Sequence, residues 1–357
     1  MTLHIFNPDH DIALASSLEN FTAPHAGRQL RHDLGWLPAL WAEEGDMVLV
    51  DDVEAAIRNL RRATARLTIK PRPTFVTAKN VPDRLIDISV WGWNAALRSQ
   101  LRRWGTDETL LPKTETLNDV RELSHRRTSA LLLNSLTKRE GTVGQATELN
   151  SLEEIKDFIT QVGKAVLKAP WSSSGRGVRF VENEMTVSME GWTRNILNNQ
   201  GCVMAEPYYN KVKDFGMEFE VQSDGSIVYL GLSLFHTMNG AYTGNILATE
   251  ERKQEMMGQY LELSLLENIK ERICRELADI LKGRYVGPFG VDMMIVAQEG
   301  NGFLLHPCVE INLRRTMGHV ALALTRLLNP KGDEGIVKVM RIIYEHNQYK
   351  LRIQQPK

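Results

Sequence analysis

The stretch from Gly287 to Arg314 constrains the fold more than any other part of this chain. Two apolar, alternating runs, Val291 to Val296 and Phe303 to Asn312, flank Glu299-Gly300-Asn301-Gly302. Such a Gly/Asn cluster between strand-like runs reads as a hairpin turn. Folded about Asn301, positions 292 and 310 lie nine residues from the bend on either side, so without a bulge Asp292 faces Glu310. Glu310, Asn312 and Arg314 alternate, which places them on one face of a strand. Two carboxylates and an amide then converge. Left uncompensated the cluster is repulsive, with only Arg314 and Arg315 nearby. Hard oxygen donors of this kind suit Mg²⁺. The plainer alternative is a surface ladder pairing Glu310 with Arg314 and Asp292 with Arg284. His306 and Cys308 share the parity of Glu310, but their spacing matches no usual zinc pattern.

The rest of the chain supplies the setting. A length of 357 residues predicts two or three domains at roughly 150 residues each. Lys plus Arg is 43 and Asp plus Glu is 44, a net charge of -1, which argues against a chain built to grip nucleic acid or anionic lipid. Cys202, Cys274 and Cys308 are scattered in apolar contexts and form no C-x-x-C pair, which fits reduced core thiols in the cytoplasm. The first residues lack the basic and apolar regions of a signal peptide, and no apolar run is long enough to span a membrane. Over the first hundred residues, short apolar runs (Leu3 to Phe6, Met47 to Val50, Thr74 to Thr77) alternate with helical spacing such as Asp52 to Ala65, which implies a parallel sheet. A second pattern starts near Leu111-Pro112. It reads as one helix over Leu117 to Leu136 and another over Ser151 to Gln161, opened by the capping pair Ser151 and Glu154. A β-rich run follows: Ala165 to Lys168, Arg179 to Val181, Cys202 to Ala205, Met217 to Gln222 and Ser226 to Leu234. A long helix near Leu261 to Lys282 precedes the hairpin, and a closing helix begins near His319.

Three further segments carry chemistry. After the strand Ala165-Val166-Leu167, Lys168 leads into Ser172-Ser173-Ser174-Gly175-Arg176-Gly177. Backbone N–H groups of such a loop close on phosphate oxygens with no side chain in the way, while the lysine adds charge. The Walker pattern is absent, and a plain hairpin turn is the alternative. Next, Val203-Met204-Ala205-Glu206-Pro207-Tyr208 ends a strand in an acid and a turn, and Asp214 precedes another alternating strand. The exposed peptide edge and Asp214 suit an adenine and a ribose, or an ordinary loop. Finally, Leu234 to Asn245 is a polar, Gly-interrupted stretch after a strand with many donors, among them His236, Asn239, Tyr242 and Asn245; it borders the cleft or runs as a long surface loop. Asp9, His10 and Asp11 follow the first strand at the end where α/β sheets bind ligands, and serve either as a metal site or as an Asx turn or helix cap. Trp91-Gly92-Trp93-Asn94 walls the same cleft or packs in the core.

Taken together, the order and spacing resemble the ATP-grasp superfamily over roughly Leu117 to Glu345. Gly287-Pro288-Phe289-Gly290-Val291-Asp292 with Glu310-Ile311-Asn312-Leu313-Arg314 is similar to the metal-binding strand pair of D-alanine ligases, biotin carboxylases and carbamoyl-phosphate synthetases. The resemblance implies α/β and α+β architecture. An N-terminal parallel α/β domain (1–112) precedes a two-lobed grasp, whose first lobe (113–205) carries the phosphate loop and whose second (206–357) carries the metal site. It implies ATP and two Mg²⁺ ions as cofactors, with Asp292, Glu310 and Asn312 as metal ligands and Arg314 as the transition-state cation. Lys168 resembles the phosphate-contacting lysine, Ser173, Ser174, Gly175 and Gly177 the flexible loop, Glu206 and Tyr208 the adenine hinge, and Asp214 the ribose acid. Arg126 stands where relatives carry the first ATP lysine. His236, Asn239, Tyr242, Asn245, Asp9 and His10 are substrate candidates. The implied activity is carboxylate activation as an acyl phosphate, followed by attack of an amine or thiol. The alternatives are phosphoryl transfer to a hydroxyl and nucleotide binding without turnover. The partners are a small-molecule or peptide carboxylate and a nucleophilic co-substrate, without nucleic acid or membrane. A homodimer is left open.

Overall fold

The computed structural model describes residues 1–356 apart from 82–84, 173–176, 239–240, 299 and 301. Among these, the strands form four sheets of four strands each. The first is parallel. It contains β1 (Thr2–Ile5), β2 (Met47–Leu49), β3 (Thr74–Val76) and β4 (Asp87–Val90), in the order β3-β2-β1-β4. Helices α1 (His10–Ser16), α2 (His25–Leu34), α3 (Val53–Ala63) and α4 (Ala95–Arg103) connect and flank it. β4 escapes the sequence pattern because its apolar residues, Ile88 and Val90, are only two.

The expected single helix over 117–136 is two: α5 (Thr114–Leu123) and α6 (Arg126–Leu136). The break falls at Ser124-His125. There the His125 ring accepts the Arg127 N–H at 3.0 Å and caps α6, an alternative to continuing the helix. Then comes the second sheet, antiparallel, with strands β5 (Thr147–Leu149), β6 (Lys164–Lys168), β7 (Val178–Glu182) and β8 (Val203–Pro207) in the order β5-β8-β6-β7. Helices α7 (Leu152–Val162) and α8 (Val187–Gln200) cover it. Ser151 caps α7 as its sequence suggests, accepting from Glu154 N at 3.1 Å.

The third sheet holds β9 (Lys211–Val221), β10 (Ile227–Ser233), β13 (Gly287–Gln298) and β14 (Gly302–Asn312), in the order β10-β9-β13-β14. The polar stretch expected as a loop over 234–245 is instead a hairpin of β11 (Phe235–Met238) and β12 (Ala241–Leu247). With β15 (Lys338–Glu345) and β16 (Gln348–Gln354) it makes the fourth sheet. Backbone pairing with β15 rescues a segment whose side chains alone read as irregular. Helices α9 (Glu250–Met257), α10 (Leu263–Leu281) and α11 (Met317–Leu328) complete the chain. None of the described helices is long and apolar enough to cross a membrane.

Two cores position the site. Ile269, Ile273 and Leu277 of α10 recur at helical spacing and pack, with Leu132, Leu133 and Leu136 of α6, on Phe215, Phe219 and Phe289 of the third sheet. Phe6, Trp36 and Val48 from the first hundred residues share another core with Val320 and Leu324 of α11 and with Met340 and Leu351 of the fourth sheet. The C-terminal strands are therefore part of what buries the N-terminal sheet's flank.

Candidate active site

Asp292 on β13 faces Glu310 on β14, as the hairpin reading expects, but by a different route. Gln298 pairs with Gly302, so the turn centres on Gly300, whose φ of +92 lies in the left-handed region. A register shift between Asp292 and Met294 then sets residues 307–309 against Met293 and carries Glu310 back opposite Asp292. On the other side, Asp292 faces Gly216 of β9, where a Cβ would lie 3.3 Å from Asp292 Oδ1. The absent side chain leaves room above the acid.

Asn312 Nδ2 donates to Asp292 Oδ2 at 3.0 Å, and Asn312 Oδ1 accepts from Arg314 Nη2 at 2.8 Å. Burial, then the neighbouring Glu310 and Glu218 carboxylates, push Asp292 up to about 8. Asp292, Glu310 and Asn312 bring carboxylate and amide oxygens, the hard donors that Mg²⁺ takes, to neighbouring positions of the strand pair.

Arg314 lies just past β14 and is more occupied than its expected role requires. It holds Asp11 through Nε (3.0 Å) and Nη2 (2.8 Å), Asn312 through Nη2, and the Arg315 carbonyl through Nη1 (3.1 Å). Of a guanidinium's five N–H groups, four are taken among the described residues, which leaves one on Nη1. Burial opposes its charge, but Asp11 more than restores it and raises Arg314 above its usual range. The same pairing overcomes burial to hold Asp11 below the carboxylate range. Asp11 is the partner that local spacing did not indicate, because it lies 303 residues away.

Two further cations reach β14, one from α6 and one from the second sheet. Arg126, at the start of α6, donates from Nη2 to Glu310 Oε1 at 2.7 Å and from Nη1 to Ser172 Oγ at 2.8 Å and the Ala169 carbonyl. It is thus an acid-bridging residue, and it also touches the start of the glycine-serine loop. Lys168, at the end of β6, pairs with Glu206 of β8 at 2.5 Å. Both are 6% exposed, and the lysine also lies 3.5 Å from the Val309 carbonyl of β14. The adjacent strands β6 and β8 bring these two expected residues together, and neither is free of the other.

The remaining candidates divide. Ser173, Ser174, Gly175 and Asn239 lie outside the described residues. Gly177 follows that loop, and a Cβ there would overlap Ser172 at 2.3 Å, so glycine is required for the close approach. Tyr208 is exposed and packs edge-on against Phe180. Asp214 sits within β9 rather than before a strand and accepts from Lys211 Nζ at 2.5 Å and from Thr237. Tyr242 and Asn245 form an interior chain: the Tyr242 hydroxyl donates to Asn245, whose Nδ2 donates to Ser233 Oγ at 2.8 Å. Asn245 is fully buried, a corrected expectation, since hairpin pairing turns it inward. His236 is exposed on β11. The surface ladder is also corrected: Arg284 pairs with Asp119 and Glu122 and not with Asp292.

Two features escaped the sequence reading. Glu218 of β9 is buried against α11, accepting from Thr316 Oγ1 at 2.8 Å. Its parity with Asp214 and Gly216 was the available signal. His125, Glu148 and Cys202 also offer atoms within 4.8 Å of one another, the geometry of a metal site. However, His125 Nδ1 accepts the Arg127 N–H, so the ring proton is on Nε2 and points to Cys202 Sγ at 3.5 Å. Arg127 also grips Glu148 at 2.9 and 2.8 Å. Hydrogen bonds account for this cluster without an ion.

No family model matches the sequence, and no curated protein does. Solved structures do. The N5-carboxyaminoimidazole synthetase from Staphylococcus aureus complexed with ADP matches with a TM-score of 0.52 and 14% identity, over 97% of this chain and 83% of that one. The biotin carboxylase–β-γ-ATP complex from Campylobacter jejuni gives 0.52 and 14%, over 96% and 75%. The N5-carboxyaminoimidazole ribonucleotide synthetase from Thermus thermophilus gives 0.51 and 14%, over 97% and 84%. The chain has the ATP-grasp fold.

Proposed function

We propose that this protein is an ATP- and Mg²⁺-dependent ligase that activates a carboxylate for attack by an amine. The observation that carries the reading is the convergence of Asp292, Glu310 and Asn312 on one sheet face, with Arg126 of α6 on Glu310 and Lys168 of β6 beside the Val309 carbonyl of the strand that carries Glu310. That the similar folds include an ADP complex and an ATP complex supports the nucleotide. In this reading, residues 1–112 hold the co-substrate, and 113–205 and 206–357 are the lobes that close on ATP. Asp292, Glu310 and Asn312 would hold magnesium, whose charge would offset that of the triphosphate. A carboxylate oxygen attacks the γ-phosphorus and ADP leaves; the amine then attacks the carbonyl and phosphate leaves.

The chain's own residues supply position and charge, which together do most of the catalysis in phosphoryl transfer. Arg126 ties Ala169 and Ser172, which precede the glycine-serine loop, to Glu310 and so to the acid set. Lys168 carries charge to the phosphates while Glu206 fixes its direction. Arg314, held by Asp11 and Asn312, offers one N–H to the activated carboxyl.

The test uses Mg²⁺-ATP, pooled carboxylates and hydroxylamine as a generic nucleophile. A ligase yields ADP, free phosphate and a hydroxamate in equal amounts, and Glu310→Ala abolishes all three while keeping the wild-type circular dichroism. ADP with phosphate retained on an acceptor would identify a kinase instead. Undiminished turnover in Glu310→Ala would overturn the site assignment.

A further inference from the structure

The hydrogen bonds around Asp292, Glu310 and Asn312 leave few of their oxygens free. Glu310 Oε1 accepts from Arg126 Nη2 at 2.7 Å. Asp292 Oδ2 accepts from Asn312 Nδ2 at 3.0 Å, and Asn312 Oδ1 accepts from Arg314 Nη2 at 2.8 Å. A guanidinium only donates, so the amide is turned one way. Two oxygens carry no hydrogen bond among the described residues, one on each acid: Asp292 Oδ1 and Glu310 Oε2. The Glu310 side chain is 27% exposed, and Asp292 is half-buried. Gly216, facing Asp292, keeps clear the space beside Oδ1 that a Cβ would fill at 3.3 Å.

Arg126 is fixed where it meets Glu310. It is 6% exposed. Its backbone N–H donates to the Pro170 carbonyl at 3.2 Å, and Nη1 is held by the Ala169 carbonyl and by Ser172 Oγ at 2.8 Å. Arg314 is fixed in turn by Asp11. Two guanidinium groups thus stand against Glu310 Oε1 and Asn312 Oδ1, the oxygens that a second divalent ion would need. A dication on either would sit beside a fixed positive charge, and in a partly buried site that repulsion is only weakly screened. Mg²⁺ asks little of a protein: one or two carboxylates, with waters and phosphate oxygens completing its shell. A hydrogen bond to one oxygen of a ligating acid orients the other.

We infer that the site takes one Mg²⁺, held by Asp292 Oδ1 and Glu310 Oε2, and not the two that the resemblance implies, because the Arg126 guanidinium supplies the charge of the other. The inference rests on the ligase reading. Arg126 and Asn312 act here as positioning residues: each occupies one oxygen of an acid and so presents the other. The Arg126 charge is built into the chain, in place before any nucleotide arrives.

The experiment counts Mn²⁺, a paramagnetic substitute for Mg²⁺, by electron paramagnetic resonance, with protein in excess over AMP-PNP so that all the nucleotide is bound. Wild type should hold one Mn²⁺ per nucleotide and give the spectrum of an isolated ion. Arg126→Met, which removes the guanidinium, should raise the count to two and show the broadened spectrum of spin-coupled ions. Arg126→Lys, which keeps the charge, should return the count to one. Circular dichroism reports an intact fold in each variant, and the wild-type count stands whether or not the variants fold. Two coupled Mn²⁺ ions in wild type would overturn the inference and leave the ligase reading standing. A count of one in folded Arg126→Met would overturn the part given to Arg126. A wild type that binds no Mn²⁺-AMP-PNP would overturn the ligase reading, and the inference with it.

Discussion

Lys168 serves charge and stability together, and the two are separable. Its ammonium and the Glu206 carboxylate are buried side by side at 2.5 Å. Removing one partner leaves an uncompensated charge in the interior, which costs about 3–5 kcal/mol. Lys168→Ala should therefore lower the urea midpoint as well as turnover. Lys168→Met combined with Glu206→Leu should recover most of the stability and none of the ATP-dependent activity. A single variant as stable as wild type would show that the pair is not desolvated. The lysine itself was legible as a strand-end cation before a Gly/Ser loop. Its commitment to Glu206 was not, since 38 residues separate them and only the pairing of β6 with β8 brings them together. Asp11 and Arg314 show the same at longer range.

At the scale of elements, α11 starts on a buried acid. Thr316 Oγ1 accepts the Gly318 N–H at 3.0 Å and donates to Glu218 at 2.8 Å, while His319 Nδ1 accepts the Thr316 N–H at 3.1 Å. A Cβ on Gly318 would come within 1.8 Å of Glu218 Oε1 and 2.6 Å of Ser233 Oγ. Gly318→Ala should displace Glu218 and destabilise the fold by roughly 1–3 kcal/mol, the range for overpacking. A thermal midpoint equal to wild type would refute this close fit. Elements with strong local signals were legible: the Ser151 cap of α7, the apolar stripe of α10 and the turn between β13 and β14. The break at His125 was hidden because the ring acts as a cap, a use that periodicity does not register. β15 and β16 were missed because their mixed side chains become strands only through pairing with β12 and with each other.

For the molecule as a whole, buried histidines tie stability to pH. Burial first of all lowers His10 to about 4, His125 to about 4 and His306 to about 3, from 6.5. Between pH 6.5 and 4 the unfolded chain binds protons that the folded chain refuses, so these groups make stability rise with pH and fall away as pH drops. Asp292, raised to about 8, acts in the opposite sense over its own range. The histidine contribution is therefore read by difference. His306→Leu should flatten the acid limb of a stability–pH profile by up to one proton per molecule, and an unchanged slope would exclude His306 from it. Neither His306 ring nitrogen has a hydrogen-bond partner among the described residues, so an apolar substitute strands nothing in them. What the sequence alone determined was local: hydrophobic periodicity set most helices and strands, and the alternation of Glu310, Asn312 and Arg314 set one donor face. Only tertiary structure decided which cations meet those acids, that Arg314 pairs with Asp11, and that the C-terminal strands help bury the N-terminal sheet's flank. Those outcomes depend on contacts between residues far apart in the chain, whose energies exist only once the sheets have come together.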